Sequence, residues 1–171
     1  MGVINVTPDS FSDGGRFYDH NAAVSQGEKL AAEGAAVIDI GGESTRPFSE
    51  PITVEEEIRR VVPVIEQLAQ RIPVPISIDT TKAEVARRAL EAGASIINDV
   101  SALRVDPGIA MLAAESGTPL ILMHMLGDPK SMQVLPRYEN LLEEILTFLE
   151  DAVEKAEKQG VSRAKIIVDP G

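Results

Sequence analysis

The feature that most restricts the fold of this chain is a repeated alternation of short apolar segments with longer amphipathic ones. Because parallel strands need long crossover connections, this alternation predicts a parallel sheet covered by helices. The close spacing of Val3, Ile4 and Val6 predicts a first strand that is buried on both faces. We predict six strands, at Val3–Val6, Ala36–Ile40, Pro75–Asp79, Ser95–Asn98, Pro119–Met123 and Lys165–Asp169.

The segments between these strands carry the start and stop signals of helices. The predicted helices cover residues 22–33, 53–71, 81–93, 106–117 and 138–159. We predict N-caps or capping boxes at Asn21, at Thr53 with Glu56, at Thr81 with Glu84, and at Asp106. Pro63 predicts a kink in the second helix. The acidic runs Glu55–Glu57 and Glu143–Glu157 are interpreted as mostly solvated helix faces.

Right-handed crossovers leave two architectures for such a chain, a doubly wound open sheet or a (β/α)8 barrel. No Gly-x-Gly-x-x-Gly turn follows the first strand, as a dinucleotide-binding sheet would favour. Polar residues instead recur where the strands end, and in a parallel barrel those ends converge on one face. These residues are Asn5, Asp39, Asp79, Asn98, His124 and Asp169. We therefore predict a (β/α)8 TIM barrel of the α/β class.

Six strands are too few to close an eight-stranded barrel. We therefore expect residues 1–171 to form one partial barrel domain, without the N-terminal lead-in and the last two β/α units. We also expect the 171-residue polypeptide alone to be inactive, and to be unstable because its first and sixth strands would be exposed edges.

Composition excludes several functional classes. The net charge of −11 argues against binding to nucleic acid or to an anionic membrane surface. The absence of cysteine excludes disulfides and thiolate metal sites. Since no apolar run approaches the roughly 20 residues that span a bilayer, we expect a cytoplasmic enzyme or binding domain.

Two carboxylates and an amide at the strand ends suit one ligand. Asp79 and Asp169, which we expect to be buried, and Asn98 predict a site for a planar heterocycle with adjacent N–H donors. Charge-assisted, two-pronged hydrogen bonds to such a ring are roughly twice as strong as neutral ones. Thr45 and Arg46 follow two glycines and suit a phosphate, through a hydroxyl, a guanidinium and backbone N–H groups.

The remaining polar strand ends have different predicted roles. The carbonyl oxygen of Asn5 suits Mg²⁺, which takes few protein ligands when phosphates supply the others. Asp39 is interpreted as a structural acid. His124 lies between two methionines and is interpreted as a hydrogen-bonded core histidine, because no other histidine or cysteine nearby supports a zinc site.

Six motifs, in order along essentially the whole chain, resemble the dihydropteroate synthase family. They are Asn5–Gly15 (NVTPDSFSDGG), Gly41–Pro47 (GGESTRP), Ile78–Thr80 (IDT), Ile97–Val100 (INDV), Leu122–Met125 (LMHM) and Val168–Gly171 (VDPG). The resemblance implies a pterin-binding barrel of folate biosynthesis. Its expected reaction is a transfer that joins 4-aminobenzoate to 6-hydroxymethyl-7,8-dihydropterin diphosphate and releases diphosphate.

The resemblance also implies roles for individual residues. Asp79, Asn98 and Asp169 would grip the pterin, Met123 would pack on its face, and Asn5 would ligate Mg²⁺. Thr45 and Arg46 would contact the leaving diphosphate, and Asp13 with Asp169 would stabilise the electron-poor pterin methylene. Phe11, Asp13 and Pro47 would belong to two loops that shape the aminobenzoate pocket, where sulfonamides also bind. A homodimer is the assembly that the family leads us to expect.

Two other functions remain open at this point. A corrinoid methyltransferase that uses a related barrel is one, although the TPDSF sequence at Thr7–Phe11 argues against it. A pterin-binding or regulatory homologue without turnover is the other.

Overall fold

The computed structural model describes residues 1–7, 20–44, 51–127 and 138–171. Its centre is a sheet of six parallel strands in chain order, each hydrogen-bonded to the next. The strands are β1 Gly2–Asn5, β2 Ile38–Gly41, β3 Ile76–Asp79, β4 Ile96–Asp99, β5 Leu120–Met123 and β6 Ile166–Asp169. A doubly wound sheet reverses its strand order at a switch point, and this sheet does not. The fold is six units of a (β/α)8 barrel, as predicted.

Five helices connect the strands in the described part of the chain. They are α1 His20–Ala32, α2 Val54–Ala69, α3 Ala83–Ala92, α4 Gly108–Ser116 and α5 Leu141–Lys158, and a 3₁₀ turn at Arg163–Lys165 precedes β6. The strand bounds differ from the predicted ones by one or two residues: β1 begins and ends one residue earlier, and the other five strands begin one or two residues later.

The hydrophobic core lies between the sheet and the helices. Alternate strand residues point outward to it, and the helices supply the facing apolar stripe. The strand residues are Ile4, Ile38, Ile40, Ile76, Ile78, Ile97, Leu120 and Leu122, and the helix residues include Val61, Ile65, Leu68, Val85, Ala89 and Ile109. Burial of each large aliphatic side chain contributes about 1.5–3 kcal/mol. A Cβ at Gly27 would lie 2.7 Å from Leu68 Cδ1, so α1 approaches α2 through a glycine.

The predicted burial of β1 on both faces is wrong. Ile4 is buried against the helices, but Val3 is 54% exposed because it points to the other face of the sheet, the one that carries Asn5. This face lines the inside of the barrel. An apolar residue next to a buried one therefore does not establish that both are buried.

The predicted helix starts are partly confirmed. Thr53 caps α2 by accepting a hydrogen bond from the backbone N of Glu56, and the helix continues through Pro63. The capping box at Thr81 and Glu84 is wrong, because the backbone N of Ala83 donates to Asp106 Oδ2 at 2.8 Å instead. Asp106 also accepts from the backbone N of Gly108 at 2.9 Å, although the N-cap of α4 is Pro107, one residue later than predicted.

Asn21, the other predicted cap, lies inside α1, which begins one residue earlier at His20. The predictions at Phe11, Asp13, Thr45, Arg46 and Pro47 lie outside the described residues.

Candidate functional site

Polar side chains from β1, β3 and β4 meet at the carboxyl edge of the sheet, beside a glycine of β2. Asn5 is in register with Gly41, Gly41 with Asp79, and Asp79 with Asn98. Because register partners on neighbouring parallel strands point to the same face, these residues form one row on the inner face. The expected convergence of Asn5, Asp79 and Asn98 is thus observed.

Asp169 and Met123 extend this row on the last two strands. Asn98 is in register with Ile121 and Ile121 with Ile167, whereas Met123 pairs with Asp169. Asp169 therefore lies two residues beyond the row, on the same face. Its carboxylate is exposed and accepts a hydrogen bond from the backbone N of Gly171 at 2.9 Å. The expectation that Asp169 is buried is wrong, because β6 has only β5 beside it in the described chain.

Gly41 makes room for its neighbours in the row. A Cβ at Gly41 would lie 3.3 Å from Asp79 Oδ2 and 3.7 Å from Asn5 Oδ1. The two oxygens therefore flank the same glycine and border one space. A side chain at this position would fill part of that space, so the glycine keeps a carboxylate and an amide oxygen accessible to one ligand.

Asp39 lies two residues before the row on β2 and holds the side chain of Asn98. It is buried in the middle of β2, two residues before Gly41, and not at the strand end where the sequence analysis placed it. Its carboxylate accepts hydrogen bonds from Ser77 Oγ at 2.5 Å and from Asn98 Nδ2 at 3.2 Å. Because the amide nitrogen of Asn98 points down to Asp39, its carbonyl oxygen is left for a ligand. The interpretation of Asp39 as a structural acid is confirmed.

Asp79, expected to be buried, is half-buried in the described chain, and its carboxyl group is protonated below about pH 8. Desolvation by burial raises the pKa of Asp79 to about 8, and the negative charges of Asp39, Glu57, Asp99 and Glu43 act in the same direction. Desolvation also raises the pKa of Asp39, although the bonds from Ser77 and Asn98 oppose it. The site therefore concentrates carboxylates, and a ligand with N–H donors or positive charge would favour the ionised form of Asp79.

A strained turn fixes the chain after Asn98. Asp99 is buried and accepts hydrogen bonds from the backbone N and Oγ of Ser101 and from the backbone N of Leu103, at 2.7–2.8 Å. Ala102 and Leu103 have φ angles of 50° and 65°, which residues other than glycine rarely adopt. Such strain is common at functional sites. This turn is not among the sequence predictions, although Asp side chains commonly accept a hydrogen bond from the backbone N two residues on.

Glu57 is a second feature that sequence reasoning missed. The acidic run Glu55–Glu57 predicts mostly solvated side chains, but Glu57 is 1% exposed. Its carboxylate accepts hydrogen bonds from Thr80 Oγ1 at 2.7 Å and from Lys82 Nζ at 2.6 Å. The available signal was helical periodicity, since Glu57 lies one turn before Val61 and therefore on the apolar stripe of α2.

His124 links the ends of β5 and β6. It is 7% exposed, its Nδ1 lies 3.2 Å from the carbonyl oxygen of Pro170, and Phe148 packs edge-on against the ring. The backbone N of His124 donates to the carbonyl oxygen of Asp169 at 2.8 Å. Its interpretation as a hydrogen-bonded core histidine is confirmed, and the contact helps to place Asp169.

The donor set around Asn5 suits Mg²⁺. Asn5 is exposed at the end of β1 and offers an uncharged oxygen beside Gly41. Mg²⁺ takes one or two protein ligands and completes its shell with phosphate oxygens and water, so a single amide oxygen is compatible with it.

Comparison with known proteins agrees with this arrangement. The family model described as pterin binding enzyme matches residues 1–171. The chain belongs to the pterin-binding enzyme family. In the described residues, this family member has no helix long and apolar enough to cross a membrane.

Within the pterin-binding family, the chain is similar to dihydropteroate synthases of known sequence and structure. Dihydropteroate synthase of Synechocystis sp. is 47% identical over 171 residues, which are 100% of this chain and 59% of that protein. Xanthomonas albilineans dihydropteroate synthase, solved with 4-aminobenzoic acid, superposes with a TM-score of 0.90 at 48% identity, over 99% of this chain and 60% of that one. Yersinia pestis dihydropteroate synthase, solved with a sulfonamide drug complex, gives a TM-score of 0.90 at 45% identity, over 99% and 62%. The chain thus spans about 60% of the length of these relatives.

Proposed function

We propose that this chain is part of a dihydropteroate synthase, which joins 4-aminobenzoate to 6-hydroxymethyl-7,8-dihydropterin diphosphate and releases diphosphate. The observation that carries the proposal is the row of Asn5, Asp79 and Asn98 on one face, with Asp169 two residues beyond. The relatives described above support it, because they are 45–48% identical and carry this name.

The pterin is the ligand that this row would hold. Asp79 and Asp169 offer carboxylate oxygens to the N–H groups of the ring, and Asn98 offers its free carbonyl oxygen. Met123 is half-buried on the same face as Asp169 and would pack on the ring. Because desolvation and neighbouring negative charge raise the pKa of Asp79 to about 8, binding of ring N–H donors would release a proton below about pH 8.

The reaction depends mainly on departure of diphosphate, since an arylamine is a weak nucleophile. Thr45 and Arg46 would bind the leaving group and stabilise the negative charge that grows on it in the transition state. Asn5 would hold Mg²⁺, which supplies further stabilisation of that charge when it is bound. Asp13 and Asp169 would stabilise the electron-poor methylene that diphosphate leaves behind. Phe11 and Pro47 would border the aminobenzoate and the sulfonamides that compete with it.

The direct test is turnover by the complete gene product. Dihydropteroate and diphosphate should appear in equal amounts when both substrates and Mg²⁺ are present. Chelation of the metal should stop the reaction, and added Mg²⁺ should restore it. Asn5→Ala should raise the Mg²⁺ concentration that gives half-maximal activity. Tight pterin binding without diphosphate release would instead identify a homologue without turnover, and would contradict the proposal.

The assembly is proposed from the resemblance alone. We propose a homodimer in the cytoplasm, with small molecules as its ligands. Sedimentation of the complete gene product should give twice the mass of one chain, and a monomer at micromolar concentration would contradict the assembly.

A further inference from the structure

The carboxyl group of Asp79 has no hydrogen-bonding partner among the described residues, and only burial and the negative charges around it affect its pKa. Asn98, its register partner on β4, is by contrast held by the carboxylate of Asp39. The placement of the Asp79 side chain therefore depends on the backbone at the end of β3. The residue that follows Asp79 there is Thr80.

Hydrogen bonds tie Thr80 to its surroundings on three sides. Its backbone N donates to the carbonyl oxygen of Asn98 at 3.1 Å, which continues the pairing of β3 with β4. Its Oγ1 donates to Glu57 Oε1 at 2.7 Å and accepts from the backbone N of Lys82 at 3.3 Å. Thr80 is 3% exposed, so water competes little for these bonds. Thr80 therefore joins the end of β3 to β4, to α2 and to the residue that precedes α3.

Glu57 is a firmly held partner for the Thr80 hydroxyl. It belongs to α2, it is buried, and its second carboxylate oxygen accepts from Lys82 Nζ at 2.6 Å. Desolvation lowers the pKa of Lys82, but its hydrogen bonds to Glu43 and Glu57 outweigh this effect, so the pKa is raised and the ammonium persists. Because a buried carboxylate that loses its partner is strongly destabilised, we expect these contacts to be permanent.

We propose that Thr80 is a positioning residue for pterin binding: its hydroxyl, held by Glu57, fixes the end of β3 and thereby orients the Asp79 carboxyl toward the ring. This inference rests on the function proposed above. It assigns to Thr80 an effect on the pterin that passes through Asp79 and involves no contact with the ligand, because the Thr80 hydroxyl is buried against α2.

The test compares two substitutions at Thr80. Thr80→Val removes the hydroxyl at nearly constant size, and Thr80→Ser keeps it. Calorimetric titration of the complete gene product gives the dissociation constant of 6-hydroxymethylpterin, and Tm is measured on the same samples. Thr80→Val should weaken pterin binding by roughly 10-fold where the protein is folded, because a small misplacement of a binding group has effects of this order. Thr80→Ser should bind within about twofold of the wild type, since it keeps the bond to Glu57.

Thr118→Val is the matched control for a loss of stability. Thr118 is also buried and its Oγ1 accepts from Ser116 Oγ at 2.8 Å, but it precedes β5 at the opposite edge of the sheet. The control should change Tm and leave the pterin affinity as it is. Equal weakening of pterin binding by both valine variants would indicate a purely structural role and would contradict the proposal, as would wild-type affinity in folded Thr80→Val.

A double substitution shows whether Thr80 acts through Asp79. Thr80→Val should cost less pterin affinity when Asp79 is already replaced by asparagine, because residues of one network do not contribute additively. Equal losses in the two backgrounds would show that Thr80 does not act through Asp79, and would overturn the inference.

Thr80→Ala is the decisive variant if Thr80→Val does not fold, because the smaller side chain leaves room for water to reach Glu57. It should weaken pterin binding relative to Thr80→Ser, and equal affinities of these two variants would overturn the inference. The wild type separates the two proposals. A wild type that binds 6-hydroxymethylpterin but makes no dihydropteroate contradicts the synthase and leaves the comparison of the Thr80 variants valid. An active wild type with equally tight binding in the variant that lacks the hydroxyl contradicts the positioning role alone.

Discussion

The two faces of the six-stranded sheet differ in the polarity of their side chains and in their contribution to stability. The outer face carries Ile4, Ile40, Ile78 and Leu122, which are at most 2% exposed and pack on the helices. The inner face carries polar groups at the same depth along the strands, and Asp79 there keeps a proton to about pH 8. One face thus provides the stability of the fold, and the other retains groups that lower this stability and are available to a ligand.

The largest effect is expected on the outer face. Ile78 lies next to Asp79 but points into the core and is 0% exposed. Ile78→Ala should lower the free energy of unfolding by about 2–5 kcal/mol, because it removes buried methylenes and leaves a cavity. Ile78→Val is the control and should cost about 0.5–1.5 kcal/mol. Chemical denaturation measures both, and pterin affinity of the remaining folded protein should be unchanged. A loss of pterin affinity in the folded Ile78→Ala protein would contradict the division of stability and binding between the two faces.

On the inner face, a substitution at Asp79 should raise the stability instead of lowering it. Below about pH 4 the carboxyl is protonated in both the folded and the unfolded chain, so its contribution is small. Between about pH 4 and 8 only the unfolded chain releases the proton, so stability falls as the pH rises, and above pH 8 the loss is complete. Asp79→Asn removes this effect and should raise Tm by several degrees more at pH 8.5 than at pH 4.5.

Asp151→Asn, on the exposed side of α5, is the control for that pH dependence and should change Tm equally at the two pH values. The gain in stability from Asp79→Asn should accompany weaker pterin binding, as is usual where a site holds unfavourable groups for function. A Tm difference that does not depend on pH would show that burial does not perturb Asp79.

The outer face is also the part that the sequence predicts well. Regular spacing of Val, Ile and Leu locates all six strands, and Thr53 and Gly93 mark helix ends because their effects are local. The network of Glu57, Thr80 and Lys82 was missed, since it depends on residues 23–25 positions apart whose pairing only the tertiary structure defines. The prediction that Asp169 is buried is wrong for the same reason. Strand order brings Asp169 to the row, but exposure depends on what lies beside β6.

Asp169 and Asp79 lie on the same inner face but differ in exposure. Asp169 is exposed and hydrogen-bonded to the backbone N of Gly171, so Asp169→Asn should leave the stability nearly unchanged. It should weaken pterin binding by about 1–3 kcal/mol through loss of a charge-assisted bond. Calorimetric titration of the complete gene product checks this. An affinity equal to that of the wild type would remove Asp169 from the ligand contacts.

The smallest predicted effect lies beneath the row, at Ser77. Its hydroxyl is fully buried and donates to Asp39, which also holds the amide of Asn98. Ser77→Ala should cost about 1 kcal/mol of stability, because Asp39 loses one of its two side-chain donors. The lost donor also raises the pKa of Asp39 further, and a protonated Asp39 holds Asn98 less firmly. Pterin affinity should therefore fall, and the fall should grow as the pH is lowered. A loss of affinity that does not depend on pH would mean that Asp39 supports the strand but does not orient Asn98.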